Sequence, residues 1–567
     1  MQAEKRGRQI KRLFYFLAGL LALVLVLLVC FKIIVRIEPP EIPGTGISEL
    51  KRIKTGANAY KIGNNWVRKS SSGLWEMYLS GTPYELGLKN GILNRELISF
   101  QEKAFVERIK ELIPSEGYLR FLRYALAWFN KDLDRYVPIE NQQEIFGVSQ
   151  SADPDFKFIA DNYERILNYH AAHDIGHAMQ NLNLVGCTSF GVWDEFSMDS
   201  SLLIGRNFDF YAGDEFAENK IVALYHPDEG IDFVMITWAG MTGVVSGMNR
   251  EGLTVTLNAA KSEIPFGART PVSIVARRIL QYASDIPEAI DIASSMETFV
   301  CETFLIGSAR DGYAALIEKT PDTTVLYKSP KHFIIATNHL QHQAFSKQAE
   351  NKENMEDETS VSRFNRVEEL LREYRQLDFL SASTLLRDQR GPEGKNIGMG
   401  NEKAINQLIC HHSVIFKPAE KLMCVSVPPF QLGRYVCYDL KRIFSLAETY
   451  DCQGDLVTDS LTIPADPFLT SREFRDFVEF KKDLDLLKKN PSQYPPVDVD
   501  HFISLNPEFF TAYESAGDYL SQSGGMEKAA YFYNFALSKE VSSASERKRI
   551  MNKLSKLKSD TRHRETQ

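Results

Sequence analysis

Cysteine is scarce in this chain, seven among 567 residues, and none of it falls in a CxxC pair or at zinc-ligand spacing. That excludes a zinc ribbon and a disulfide framework. Cys301, Cys410, Cys424, Cys437 and Cys452 read as buried free thiols, with room for one accidental pair in an oxidising compartment. A basic excess is lacking too: 66 Lys and Arg stand against 74 Asp and Glu, a net charge of -8. The cations are scattered among the acids, so nucleic acid is not an expected partner. No Gly-rich loop ending in Lys-Ser or Lys-Thr occurs, which argues against nucleotide hydrolysis. A hydrophobic share of 44% is ordinary for a globular protein and excludes a fibrous or disordered chain.

The N-terminus departs from this even background. Leu13 to Phe31 carries no charge and follows Lys5, Arg6, Arg8, Lys11 and Arg12. Such a run spans a bilayer, and the basic flank holds the short tail in the cytosol. It is long for a signal peptide, and no small-residue cleavage site follows. The expectation is a cytosolic tail over 1–12, a single-pass signal anchor over 13–35, and everything beyond it on the non-cytoplasmic (periplasmic or extracellular) side.

Residues 36–186 read mainly as helices after the Pro-rich exit Glu38 to Pro43, with amphipathic spacing over Leu93–Ile113 and Phe156–Asn181. From Cys187 the pattern changes to short β runs: Leu202–Phe210, Phe233–Trp238, Leu253–Leu257, Phe304–Ile306, Ala314–Ile317, Thr324–Tyr327 and Phe333–Thr337. Helices Pro271–Tyr282 and Pro287–Ser295 interrupt them, each with proline at its permitted first position. Strands grouped around a helix pair predict layered sheets with helices outside. The β-rich domain runs over 187–455, and 456–505 is a linker containing the helix Glu473–Lys489 and the Pro-rich Asn490–Pro496. In 506–567, Tyr513, Ala516, Gly517, Leu520, Ala529, Tyr533 and Ala536 have the spacing of one tetratricopeptide repeat. A single copy cannot bury its own face, so it packs on the larger domain or meets a partner protein.

The chemistry centres on Gly186-Cys187-Thr188-Ser189, where the helical region gives way to strands. Downstream, Arg206 and Asp209 offer a cation that lowers a thiol pKa and an anion that can hold an ammonium. Asn258 and Asn338, each at the end of a strand run, are suitable donors to an oxyanion. Arg363, in Ser362-Arg363-Phe364 at the opening of a helix, can reach back toward the thiol.

Cys187, Arg206, Asp209, Asn258, Asn338 and Arg363 follow the order of the functional residues of the choloylglycine hydrolase and penicillin V acylase group. Gly186-Cys187-Thr188 and the glycine-spaced Gly81 to Gly91 segment look closer still to the acyl-coenzyme A:6-aminopenicillanate acyltransferase family of cysteine N-terminal-nucleophile (Ntn) hydrolases. The resemblance spans about Gly81 to Leu440. It implies an α+β fold, a four-layer αββα sandwich, here joined to a transmembrane helix, a helical pro-region and the C-terminal hairpin. It also implies self-cleavage between Gly186 and Cys187, because the new α-amine of Cys187 is the general base for its own thiol. The implied reaction is hydrolysis of the amide of a small N-acyl compound through an acyl-enzyme at Cys187, without metal or cofactor. Acyl transfer from a thioester or amide to an amine and a non-catalytic membrane-tethered scaffold are the alternatives.

His170, His173 and His177, with Asp174, share one predicted helix face, but Asp174 stands where a zinc-protease helix carries glutamate, so no metal is expected. His411 and His412 read as surface histidines or pocket lining. Phe208, Phe210, Tyr211 and Trp238 fit either an acyl pocket or core packing.

Overall fold

The computed structural model describes residues 2–43, 50–171, 174, 186–261, 263, 265, 267–452, 454–489 and 498–565. The helix Gln2–Ile34 contains a stretch, Ile10–Ile34, long and apolar enough to cross a membrane, which the rest of the chain leaves unburied. Near its end Phe31 stacks on Trp128 at 6.1 Å and meets Tyr124 edge-on at 6.0 Å. Both aromatics belong to Glu116–Phe129, a helix with no buried residue.

Among the described residues the strands form two sheets. The larger has eleven strands in the order Ile53–Gly56, Ala59–Ile62, Asn65–Lys69, Trp75–Gly81, Ile221–Pro227, Phe233–Thr237, Ser246–Asn249, Leu253–Ala260, Cys301–Ser308, Ala314–Lys319 and Thr324–Tyr327. Its one parallel pairing joins Trp75–Gly81 to Ile221–Pro227. The smaller runs Phe333–Ala336, Thr188–Asp194, Ser200–Phe208, His412–Lys417, Leu422–Ser426 and Tyr435–Asp439.

The period-two alternation of the strands sorts their side chains into three cores. On one face of the large sheet Met77, Leu79, Ala223, Met235, Val255 and Ile306 pack against helix residues such as Leu93, Ile145, Val275 and Ile279. The opposite face, with Tyr78, Leu224, Ile236, Leu305 and Leu316, meets Ile204, Val414, Phe416 and Val425 of the small sheet. The outer face of the small sheet, Phe190, Val192, Leu203 and Ile415, is covered by Val367, Leu370 and Leu371 of the helix Thr359–Tyr374 and by Leu385 of Phe379–Leu386. The layers are therefore helices, sheet, sheet, helices.

Several expectations need correction. Residues 53–81 form four strands rather than helix, because Gly63 and Gly73, at φ 55° and 91°, turn the runs back on themselves. The helix expected over Phe156–Asn181 is described over Asn162–His170, and 172–173 and 175–181 lie outside the described residues. So do Asn490–Pro496. Pro271 caps Val272–Tyr282 rather than opening it. Cys424 and Cys437 are not free thiols. They face each other across adjacent strands and are joined as a disulfide.

The C-terminal helices Phe510–Gln522 and Met526–Ser538 form the expected hairpin, and Gly517 has no Cβ space because the Tyr533 ring lies against it. Their apolar side packs with Phe477, Phe480 and Phe502, and with Leu408 and Leu432 of the β-rich domain. Of the two readings left open for the hairpin, packing on the larger domain is observed.

Candidate active site at the Gly186–Cys187 bond

Cys187 immediately precedes the strand Thr188–Asp194, whose neighbours on either side are Phe333–Ala336 and Ser200–Phe208. The antiparallel register puts Ser189 opposite Arg206 and Thr188 opposite Asn207. The side chain of Arg206 thus arises next to the thiol without any loop having to fold over it. All six residues expected at the site are buried.

Arg206 donates from Nη2 to Cys187 Sγ at 3.7 Å, and its Nη1 and Nη2 groups also donate to Ser246 Oγ and the Leu257 carbonyl on the large sheet. Its guanidinium carbon lies 4.4 Å above the centre of the Phe208 ring. Arg363, one turn inside its helix rather than at the opening, donates from Nη1 to the Cys187 carbonyl and, at 3.0 Å, to Thr188 Oγ1. From Nη2 it donates to Asn338 Oδ1 at 2.7 Å. Asn338 in turn donates to the Ala259 carbonyl at 2.9 Å. Asn258 accepts from Ser189 Oγ at 2.7 Å and donates to the Ala336 carbonyl at 3.1 Å. Among the described residues each carboxamide thus spends one N–H on a backbone carbonyl and has no acceptor for its second.

The electrostatics follow from burial. Desolvation pushes the Cys187 thiol up to about 11; Arg206 pulls it down, while Asp209 and Glu302 push it further up. Burial likewise raises Asp209 to about 7, against the downward pull of Arg363, the Cys410 thiol and Arg206. Burial is the first cause of lowering in both guanidinium groups.

Sequence reasoning missed several residues. Gln407, in an irregular segment, donates from Nε2 to the Gly186 carbonyl at 2.7 Å, while the Gly186 N–H donates to the Asp209 carbonyl at 2.9 Å. Ser246 bridges Arg206 to His412, whose Nε2 lies 2.8 Å from Ser246 Oγ, and His412 in turn meets His411 at 2.9 Å. Both histidines are fully buried, which corrects the surface reading, and burial holds both well below the ordinary histidine value. Only the adjacency of His411 and His412 to a strand was visible in the sequence, and nothing local marks Gln407 or Ser246.

His170 is a satisfied structural residue. Its Nε2 accepts from the Thr242 N–H at 2.9 Å, so Nδ1 carries the proton toward the Ile166 carbonyl 2.8 Å away. His173 and His177 lie outside the described residues. Among those described, a cluster with metal-ligating groups is Asp194, Glu195 and His332, all exposed and unrelated to the expected positions.

A mostly apolar cavity lies beyond the Arg206–Phe208 stack, lined by Ile98, Phe105, Phe210, Phe216, Trp238 and Met241 among others. Phe208 stacks on Phe210 at 5.8 Å and on Trp238 at 6.4 Å, so the aromatic rings lead from the guanidinium to the cavity wall. Tyr211 lies beneath Arg108 and Lys481.

Residues 197–427 match the model of the family described as acyl-coenzyme A:6-aminopenicillanic acid acyl-transferase. This segment is similar to that family. The match begins ten residues after Cys187 and takes in Arg206, Asp209, Asn258, Asn338, Arg363 and Gln407. A protein of Archaeoglobus fulgidus described only as uncharacterized is 26% identical over 278 residues, 45% of either chain, so the match spans less than half of that relative. Among solved structures, the Caenorhabditis elegans ortholog of N-acylethanolamine-hydrolyzing acid amidase is 18% identical, with a TM-score of 0.31 over 41% of this chain and 93% of its own. Penicillin V acylase from Agrobacterium tumefaciens is 12% identical, with a TM-score of 0.31 over 45% and 87%. A mutant conjugated bile acid hydrolase from Clostridium perfringens is 13% identical, with a TM-score of 0.31 over 45% and 93%.

Proposed function

We propose that the chain is a membrane-anchored cysteine Ntn amidohydrolase that cuts itself between Gly186 and Cys187 and then hydrolyses the amide of a small N-acyl compound. The layering of helices, sheet, sheet and helices is that of an αββα sandwich. The observation that carries the reading is the set of contacts gathered around the Gly186–Cys187 pair: Arg206 on the Cys187 sulfur, Arg363 on the Cys187 carbonyl, and Asp209 on the Gly186 N–H through its own carbonyl.

In the uncut chain Cys187 has an amide nitrogen and no base of its own. Cleavage turns that nitrogen into an α-amine with an ordinary pKa of about 7.7–8.0, beside a thiol that burial otherwise keeps protonated. The amine takes the thiol proton, and the sulfur attacks the substrate carbonyl. The second N–H groups of Asn258 and Asn338 stabilise the oxyanion, and the α-ammonium returns its proton to the leaving amine. Water then releases the acid. Asp209 orients the ammonium, Arg206 supports the thiolate, and Arg363 fixes the Cys187 backbone. The aromatic cavity takes the acyl group. In this reading residues 13–35 anchor the enzyme with its catalytic domain on the non-cytoplasmic side, where coenzyme A thioesters are lacking, which favours water over an amine as acceptor.

The test is intact-mass and N-terminal analysis of the purified full chain beside Cys187→Ala, followed by incubation with N-acyl amino acids and bile-acid conjugates. A new N-terminus at Cys187 in the wild type alone, with release of free acid, is the expected result; an uncut chain that is fully active would refute it. The family description supports a second reading, acyl transfer, which would appear as N-acyl product when a competing amine is added.

A further inference from the structure

Gln407 lies outside the set of six, yet among the described residues its side chain is the one that touches the carbonyl oxygen of the scissile bond, 2.7 Å from Nε2 to Gly186 O. It is 2% exposed, so this bond is made in a site from which water is excluded. The contact is also tight from the other side: a Cβ on residue 186 would come within 2.5 Å of the Gln407 amide nitrogen. Glycine is therefore the residue that lets the carbonyl sit on that donor.

The segment carrying Gln407 is held on three sides. Asn207, on the small sheet, donates to the Ile405 carbonyl at 3.1 Å, and the Asn406 N–H donates to the Asp388 carbonyl at 2.8 Å. From the C-terminal helices and the turn that follows, the Glu540 carbonyl accepts from Asn401 at 2.9 Å, the Glu540 carboxylate pairs with Lys403 at 2.7 Å, and Ser542 donates to Asn401 at 3.1 Å. Leu408, next to Gln407, is packed into the core of those helices with φ 55°. A donor fixed this firmly does not have to reorganise when charge develops on its acceptor, which is what an oxyanion donor requires.

We infer that Gln407 is the oxyanion donor of the self-cleavage step, a role that rests on the reading of Gly186–Cys187 as the cut site. The Cys187 sulfur bonds to the Gly186 carbonyl carbon, and the carbonyl π pair moves onto the oxygen held by Gln407. The intermediate collapses by breaking the C–N bond to Cys187. The nitrogen keeps that electron pair and takes up the proton the thiol gave up, leaving a thioester and a free α-amine. Water hydrolyses the thioester to the Gly186 carboxylate and restores the thiol. The donors on Asn258 and Asn338 serve external substrates; Gln407 serves the chain's own bond.

The experiment follows cleavage by intact mass in freshly synthesised full-length chain in detergent, for wild type, Gln407→Met and Gln407→Glu, between pH 5 and 8. Gln407→Met, of similar size but without a donor, should cut roughly 10²–10³ times more slowly, the loss usual for one oxyanion donor. Gln407→Glu should donate only while protonated, so its rate relative to wild type should fall by more than tenfold from pH 5 to pH 8. That ratio is read within one folded protein and would not move if residue 407 merely filled space. A pH-independent ratio, or Gln407→Met cutting within threefold of wild type, would overturn the assignment. A wild-type chain that never cuts would instead overturn the self-cleavage reading itself.

Discussion

The thiol that would start the proposed self-cleavage is, in the uncut chain, a poor acid, and this fixes how such a cut should respond to pH. Burial raises Cys187 to about 11. At pH 7 only about one chain in 10⁴ then carries the thiolate, a disadvantage of about 5 kcal/mol relative to a fully ionised sulfur. If the thiolate attacks Gly186 without a side-chain base, the cleavage rate should climb close to tenfold per pH unit from 7 toward 10. The assay is a time course of full-length chain made by cell-free synthesis into detergent at pH 7, then shifted to each pH. Loss of the 567-residue species is followed by mass. A second group could take the proton: Asp209, raised by burial to about 7, would give a profile that levels off just above neutrality. A profile flat from pH 7 to 10 therefore refutes the reasoning that thiol ionisation by solvent limits the cut.

Other outcomes follow from the same geometry. Arg206→Gln removes the charge that lowers the thiol and leaves Ser246 and the Leu257 carbonyl with a weaker donor; cleavage at pH 7 should slow by at least roughly tenfold, and an unchanged rate in the time course would remove Arg206 from the site. Asp209 has a folded value above its unfolded one, so it binds more protons when folded and costs stability as pH rises from about 4 to about 7, on the order of 4 kcal/mol. In a Cys187→Ala chain, Asp209→Asn should accordingly raise the denaturation midpoint at pH 8 and change it little at pH 4; equal effects at both would contradict the buried-carboxyl account. Trp238→Ala enlarges the cavity wall, so relative hydrolysis rates across a series of N-acyl amino acids should shift toward bulkier acyl groups, and an unshifted series would detach the cavity from the substrate.

What the sequence revealed was whatever is written locally. The apolar span, the strand runs after Cys187 and the helix pair near residue 280 carry their own periodicity, and the structure has them within a few residues. The strands over 53–81 were missed because Asn65–Lys69 and Trp75–Gly81 are short, carry charges, and are read as strands only once Ser70 to Gly73 is seen as a hairpin turn. The Cys424–Cys437 bond depends on a strand register that puts the two residues opposite each other, which their spacing alone does not specify. The six expected site residues came from an ordered resemblance rather than local pattern; in the structure Arg206 meets the Cys187 sulfur and Arg363 its carbonyl, while Asn338 meets Arg363 and Asn258 meets Ser189. Gln407 is 221 residues from its partner, and glutamine in an irregular segment has no period and no motif.

The strands at 53–81 also decide what self-cleavage would do to membrane attachment. A cut before Cys187 leaves the apolar helix on one piece and the nucleophile on the other, so nothing covalent would hold the catalytic piece to a bilayer. The large sheet supplies the tie. Trp75–Gly81 pairs with Ile221–Pro227 through seven residues in register, placing one piece's strand directly inside the other's sheet. Trp66 donates to the Ala447 carbonyl at 2.9 Å, and Glu76 pairs with Arg68 at 2.7 Å while accepting from Tyr438 at 3.0 Å. Trp66, Val67, Leu74, Met77, Tyr78 and Leu79 are all buried; at about 1.5–3 kcal/mol for each large apolar side chain, their burial stabilises the association by on the order of 10 kcal/mol. Membranes carrying the cut protein should therefore retain the piece beginning at Cys187 through washes with high salt or carbonate and release it only in denaturant. Recovery of that piece in the salt wash would mean that the N-terminal strands do not stay in the sheet once the chain is cut.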